Sequence, residues 1–252
     1  MQNALTSVAN RPTPSTQETK GEINYSVDLL RRDEQERSHI TKELSRVKEQ
    51  YGIQGRAVLE VGCGLAQNLE IFRTDNTVLG VEGLATAVKE GQARGLDIVQ
   101  GDLETPLNFE TGSVDWVLCL DVLEHLVNPL GLMTEIHRIL RPRGKVIVNV
   151  PNHFDLSGRV KLLFGCDLDV HNYFPENHDW DNPHLRFFTH SGIQQMLTTS
   201  GFAIVEDRSE HFPSFPKLPW LQRIKLGRVA RFFARRRPSI FTGGFFLIGE
   251  KS

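Results

Sequence analysis

Asp121, Glu124 and His125 place two carboxylates and an imidazole at positions i, i+3 and i+4. On a helical turn such positions share one face. Three uses follow from the chemistry. His125 can take a proton as a general base. The group can hold a divalent metal that acidifies a bound hydroxyl. Alternatively, Glu124 and His125 brace the loop and do no chemistry. Histidines at 153, 171, 178, 184 and 190 follow at spacings of 18, 7, 6 and 6, which fit no standard zinc-ligand pattern. They read instead as parts of a polar, aromatic lid over a substrate. His184 and Arg186 are its best candidates for substrate contact, with bracing of the lid as the alternative.

A second segment carries a different kind of chemistry. Val58-Leu59-Glu60-Val61 runs into Gly62-Cys63-Gly64-Leu65-Ala66 and then a helical pattern from Gln67. Glycines let a backbone approach a ligand closely and take φ values that other residues avoid. A helix start beyond them offers N–H groups to an anion. The GxG pair alone is shared by several classes of nucleotide binder. Gln67 stands where a GxGxxG dinucleotide fingerprint has its third glycine. Glu60 precedes Gly62, and Glu82 ends the next β-rich run, 22 residues after Glu60. An acid there suits a pair of ribose hydroxyls.

The elements that must position these groups can be read from the alternation after Gly55. Strand-like runs at Ala57–Val61, Thr77–Val81, Asp97–Gln100, Val114–Leu120 and Lys145–Val150 alternate with helical stretches near Gln67–Arg73, Ala85–Arg94 and Leu130–Leu140. Continuous apolar strands separated by helices predict parallel β-α-β units buried on both faces. Two late strands follow at Phe202–Glu206 and Gly244–Ile248. Thr189 is placed to cap the helix before the first of these, and Gly201 to end it. Upstream, Ile40, Leu44 and Val47 form one narrow apolar stripe within a charged helical segment, 25–55. Residues 1–24 read as a mobile tail. The long connection 151–188 is expected to lie over the ligand crevice at the carboxyl end of the sheet.

Composition narrows the class. The chain has 252 residues, 39% hydrophobic and 24% charged, enough for a core without disulfide or metal staples. Three cysteines at 63, 119 and 166 form no framework and favour a reducing, cytoplasmic setting. No apolar run reaches the length of a transmembrane helix, and the N-terminus lacks the pattern of a signal peptide.

Together the motifs resemble class I S-adenosylmethionine-dependent methyltransferases of the small-molecule branch, including ubiquinone-pathway O-methyltransferases. Glu60–Gly64 is similar to their ExGxG motif, with Ala66 where a third glycine often stands. Gly101-Asp102-Leu103 resembles the adenine-binding acidic position. Ser113–Cys119 is similar to the fourth strand, and Asp121–Leu126 to the LEHL segment. Leu140–Gly144 resembles the LRPGG turn, with Arg143 replacing a glycine. His184–Thr189 resembles the HxRxFT segment before the last helix. The resemblance implies a Rossmann-like α/β fold over 56–252, with strand order 3-2-1-4-5-7-6 and strand 7 antiparallel. It implies an S-adenosylmethionine site of Glu60, Gly62, Cys63, Gly64, Glu82, Asp102, Leu103 and Asp121. Of these, Glu60 would orient the loop and the cofactor's ammonium, Glu82 the ribose and Asp102 the adenine amino group. A divalent metal is admitted but not expected.

O-methylation of a small or lipid-linked acceptor is the favoured reading, because the segment is rich in bases and lacks the Asn/Asp-Pro-Pro-Tyr/Phe motif of many amino-methylating enzymes. A nicotinamide oxidoreductase and an inactive binding module are the rivals. Between His211 and Gly249 lie eight basic residues and no acid, so a net charge of −2 leaves −10 for the rest. Within 213–238 these cations alternate with aromatic and aliphatic residues. That pattern suits weak peripheral contact with an anionic membrane rather than nucleic acid, which the acidic body would repel, or else a solvated helix.

Overall fold

The computed structural model describes residues 38–165, 173–174, 179–180, 184–214 and 227–252. Five apolar runs become β1 (Ala57–Val61), β2 (Thr77–Glu82), β3 (Ile98–Gln100), β4 (Val114–Leu120) and β5 (Leu140–Pro151). The late strands are β6 (Phe202–Asp207) and β7 (Gly244–Lys251). All seven form one sheet in the order β3-β2-β1-β4-β5-β7-β6, as the resemblance implied. β1 pairs in parallel with β2 and with β4, and β2 in parallel with β3. β7 runs the other way. Near its end, Lys251 Nζ reaches the carbonyl of Leu140 at the start of β5, 2.8 Å away. Just before its start, the carbonyl of Gly243 accepts from Asn152, just past the end of β5.

Burial follows position in the sheet. The central strands β1 and β4 are buried almost throughout, and β7 is buried from Gly244 to Gly249. The edge strand β6 alternates between covered and open residues. This is the expected difference between strands covered on both faces and strands with one solvated face.

The described chain forms two compact units, and the division falls inside β4 and β5. The first runs through Cys119 and adds Thr134–Val146 and Lys251. It contains α1 (Ser38–Tyr51), α2 (Gln67–Phe72) and α3 (Ala85–Ala93). Ile40, Leu44 and Val47 of α1 are all buried, as their spacing predicts. Lys48 fixes α1 to α2 by donating to the carbonyl of Ile71 at 2.8 Å, while pairing with Asp75 at 2.8 Å. Asp115 of β4 accepts from the backbone of Ala57, and through both carboxylate oxygens from Nη1 of Arg141, each at 2.8 Å, joining β1, β4 and β5.

The second unit comprises Leu120–Met133, Ile147–Glu250 and Ser252. α4 (Pro129–Ile139) passes from it into the first. α5 (Leu156–Leu163), α6 (His190–Thr199), α7 (Gly227–Arg236) and α8 (Pro238–Phe241) all belong to it. Thr189 caps α6 by accepting from Gly192, and Gly201 ends it at φ +88°. His190 at the start of α6 lies 2.6 Å from Asp207 at the end of β6.

Two expectations change. The run Leu140–Gly144, expected as a turn, forms the beginning of β5, five residues earlier than the periodicity suggested. Arg143 holds φ +62° there, the conformation for which a glycine is the easier choice. The helical segment 25–55 is described only from Ser38, where it is a helix to Tyr51. The expected tail 1–24, residues 25–37, His171, His178 and most of 213–226 lie outside the described residues.

Arg138 and Glu135 of α4 clamp the β3–β4 connection. Arg138 donates to the carbonyls of Leu107 and Phe109, and Glu135 accepts from the N–H of Leu107. The hydrogen bond from Arg138 holds the Glu135 carboxyl below its ordinary range. Because the folded-state pKa is depressed, this contribution to stability is complete above the unfolded value of about 4.3 and is lost as pH falls through the folded value. Glu135→Gln should therefore flatten the acid limb of a stability–pH curve below about pH 4.5. Urea titrations across that range measure it.

Candidate functional site

In the first unit the chain leaves β1 through a turn with Gly62, Gly64 and Ala66 at φ +64°, +54° and +59°. Two glycines make this backbone accessible, and Ala66 tolerates it as the residue before α2. The turn is held from β2. The carbonyl of Val81 accepts from both Gly62 and Cys63, at 2.8 and 3.1 Å. The carboxylate of Glu82 accepts from Gly64 at 2.8 Å through one oxygen and from Leu84 at 2.9 Å through the other. Glu60, buried in β1, accepts from Asn68 in the first turn of α2 at 2.8 Å. The acids read as ligand contacts thus also shape the turn itself.

Cys63 is buried against this carboxylate pair. Burial, reinforced by Glu60 and Glu82, drives its thiol far above the ordinary range, so it remains protonated and non-nucleophilic. A Cβ on Gly80 would stand 2.6 Å from its sulfur. Gly80 was not singled out in the sequence, although a glycine inside a strand signals a close approach. Asp102 is exposed just after β3 and accepts from Glu104 at 2.9 Å in a local turn, with Leu103 half-buried beside it.

The second unit gathers the other predicted groups, with one exchange. The turn after β4 is a single 3-10 turn, Leu123–His125, so Asp121 stands outside it at φ +54°. Its carboxylate accepts from Asn149 of β5 at 2.5 Å, and its N–H donates to the carbonyl of Asn149. Among the described residues, the cluster of potential ligand atoms within 4.8 Å of one another is Glu124, His125 and His184. The backbone explains how His184 arrives. The Glu124 carbonyl accepts from both Leu185 and Arg186, at 2.7 and 3.0 Å. Arg186 donates to the carbonyl of Val127 and so pins the same segment.

His184 also touches a residue the sequence did not single out for a role of its own. His153 Nε2 lies 2.8 Å from His184 Nδ1, and the rings of His125, His184 and His153 follow one another edge to face with centroids 4.8 Å apart at each step. Phe187 continues the row at 5.0 Å from His153. A separation of 31 residues gives no local signal for the His153–His184 pair. Glu124 is 1% exposed, whereas Val127, Leu185 and Phe187 around the cluster are exposed apolar residues.

Residues 31–207 match the family model described as a methyltransferase domain. The chain belongs to this family. Its sheet order and motifs are those of class I S-adenosylmethionine-dependent methyltransferases, which sets aside a nicotinamide oxidoreductase. A Mycolicibacterium smegmatis protein named "Probable S-adenosylmethionine-dependent methyltransferase" is 30% identical over 60% of this chain and 53% of its own length. The chain therefore spans about half of that relative. A ubiquinone biosynthesis O-methyltransferase of Psychrobacter cryohalolentis is 22% identical, with 73% of each chain covered. In the solved complex of the Haloferax volcanii Trm112 methyltransferase activator with a methyltransferase, the fold matches with a TM-score of 0.61 at 17% identity, over 94% of this chain and 99% of that one.

For this methyltransferase fold the turn makes a specific demand. Gly62→Val should abolish S-adenosylmethionine binding, because a β-branched residue cannot take φ +64° without strain. Glu82→Ala should weaken it by roughly 1–3 kcal/mol, through lost hydrogen bonds to ligand and turn. Gly80→Ala should weaken it too, by displacing Cys63 and the backbone it belongs to. Isothermal calorimetry on the three variants tests the assignment, and unchanged affinity in all three would remove it.

Proposed function

We propose that the chain transfers the methyl group of S-adenosylmethionine to an oxygen of a small or lipid-linked acceptor, with Glu124, His125 and His184 serving the acceptor. The observation that carries this reading is the cluster itself: two imidazoles and a buried carboxylate gathered within 4.8 Å, immediately after β4. The relatives named as ubiquinone O-methyltransferases support oxygen as the nucleophile.

The first unit would hold the cofactor. Glu82 accepts two backbone hydrogen bonds and keeps lone pairs for the ribose hydroxyls. Asp102 would take the adenine amino group and Leu103 the ring face. The N–H groups of Gly62, Cys63, Gly64 and Ala66 are engaged within the protein. The methionine carboxylate would therefore meet the start of α2. Glu60, tied to Asn68, would set the turn and face the ammonium. Asp121, tied to Asn149, would fix the path of the chain beyond β4.

The reaction asks little bond chemistry of the protein, since the sulfonium already activates the methyl. Alignment of nucleophile, methyl carbon and sulfur supplies about 7–11 kcal/mol. In our reading the acceptor hydroxyl gives its proton to an imidazole nitrogen of His125 as the oxygen attacks the methyl carbon. The carbon–sulfur bond breaks, its electron pair remains on sulfur, and neutral S-adenosylhomocysteine leaves. His184, held through Nδ1 by His153 and by the backbone of residues 185–186, would position the acceptor beside His125. Arg186 would act by bracing this segment, since it is committed to Val127.

One observation favours a second form of the same reading. Two imidazoles and a carboxylate are the donor types that first-row divalent metals take. Their ligand atoms all lie within 4.8 Å of one another. A bound metal would supply acidification of the acceptor hydroxyl.

His125→Ala should lower turnover by about 10²–10⁴-fold with cofactor affinity nearly unchanged if His125 takes the proton. Inhibition by a chelator, reversed by added magnesium or zinc, would favour the metal. Full turnover in chelator together with an active His125→Ala variant would leave the cluster a bracing role and overturn this assignment.

A further inference from the structure

Among the described residues, every large apolar side chain that is exposed belongs to the second unit. Val160, Leu162 and Leu163 of α5 and Phe164 beyond it are among them, and so are three residues of helix α7. Val229, Phe232 and Phe233 are 48%, 51% and 43% exposed. Together with Arg236 they occupy positions i, i+3, i+4 and i+7, which form one stripe on a helix. Among the described side chains of α7 the buried one is Ala234, on the opposite side of the helix by the same periodicity. Val229 and Phe232 therefore face away from the surface on which α7 rests, while Phe233, at the edge of the stripe, also meets the ring of Phe241 in α8, with centroids 5.4 Å apart.

The charge of this helix is of one sign. Arg231, Arg235 and Arg236 of α7 and Arg237 just beyond it are all exposed, and no acidic residue occurs between His211 and Gly249. Glu210 is the carboxylate near them, 3.5 Å from Arg235. Arg236, which falls within the apolar stripe, does not interrupt it. Its guanidinium lies over the ring of Phe232, 4.6 Å from the centroid. There the cation covers an aromatic face while keeping its edge free for an anion.

An exposed apolar stripe that contains Arg236 and is bordered along one side by Arg235, on a chain that is otherwise acidic, is complementary to a surface that is apolar beneath and anionic on top. From this geometry we infer that α7 docks the protein onto an anionic lipid bilayer, with Val229, Phe232 and Phe233 entering the headgroup–acyl boundary and the arginines meeting lipid phosphates. An acidic protein would satisfy the arginines but would leave three neighbouring apolar side chains in water unless it also offered an apolar groove. The inference stands apart from the identity of the methyl acceptor, because α7 includes none of the residues assigned to cofactor or acceptor.

The test is flotation of the full chain with vesicles of phosphatidylcholine alone, or with one quarter phosphatidylglycerol, at 25 and 300 mM NaCl. Binding is expected to the anionic vesicles at low salt, to fall at least tenfold at high salt, and to be weak on neutral vesicles. Arg231→Gln with Arg235→Gln should lower partitioning by about fivefold per arginine. Phe232→Ser with Phe233→Ser should lower it by more than tenfold. Calorimetric affinity for S-adenosylmethionine confirms that each variant is folded. If a variant is not folded, the composition and salt arms on the unaltered chain decide. The inference is overturned if the unaltered chain stays in the supernatant with anionic vesicles at low salt, binds both vesicle types equally, or is retained only by an acidic polypeptide. It is overturned as well if both folded variants bind like the parent.

Discussion

The backbone between Gly62 and Ala66 turns three times through the left-handed region, and this conformation needs continuous support. β2 supplies it twice, through the carbonyl of Val81 and the carboxylate of Glu82. A carboxylate that accepts backbone N–H groups makes charge-assisted hydrogen bonds, roughly twice as strong as neutral ones. The parallel register of β1 and β2, with Val61 opposite Val81, sets those acceptors beside the turn. The pattern β1–turn–α2 is therefore stable only as part of the sheet. A strand pairing slipped by one residue would leave the turn unsupported.

The same constraint explains the residues packed around the turn. Gly80 must be small because Cys63 is packed against it. Cys63 must stay protonated because it is buried beside two carboxylates. Asn68 returns a hydrogen bond to Glu60 from the first turn of α2, so the buried acid in β1 does not lack a donor. A buried polar group without partners costs about 1–3 kcal/mol, which is a reason to keep these residues as a set.

The second unit solves its positioning problem by a different device. A short turn after β4 exposes the carbonyl of Glu124, and the segment beginning at His184 hydrogen-bonds to it twice. Side chains separated by some 60 positions are thereby brought together through main-chain geometry. Imidazoles presented this way are held by neighbours at known ring positions, as His153 holds His184. In the proposed reading such preorganisation serves methyl transfer, to which orientation can contribute about 7–11 kcal/mol.

The sequence alone determined the α/β class, the bounds of most strands and helices, and the α6 cap at Thr189, because each depends on local periodicity or on a neighbour three residues away. Its motifs also pointed to the Glu60–Gly64 turn, Glu82 and the LEHL segment as the informative positions. The tertiary structure decided which groups meet. Asp121, three residues before Glu124, turns to Asn149 instead of joining the cluster, since a single 3-10 turn begins only at Leu123. His184, sixty residues later, takes its place. His153 left no mark in any local pattern that separated it from ordinary loop residues, and Gly80 carried only the general signal of a glycine inside a strand. A hydrogen bond or a steric contact across 17 or 31 residues is fixed by strand pairing and backbone anchoring, and neither is a property of spacing along the chain.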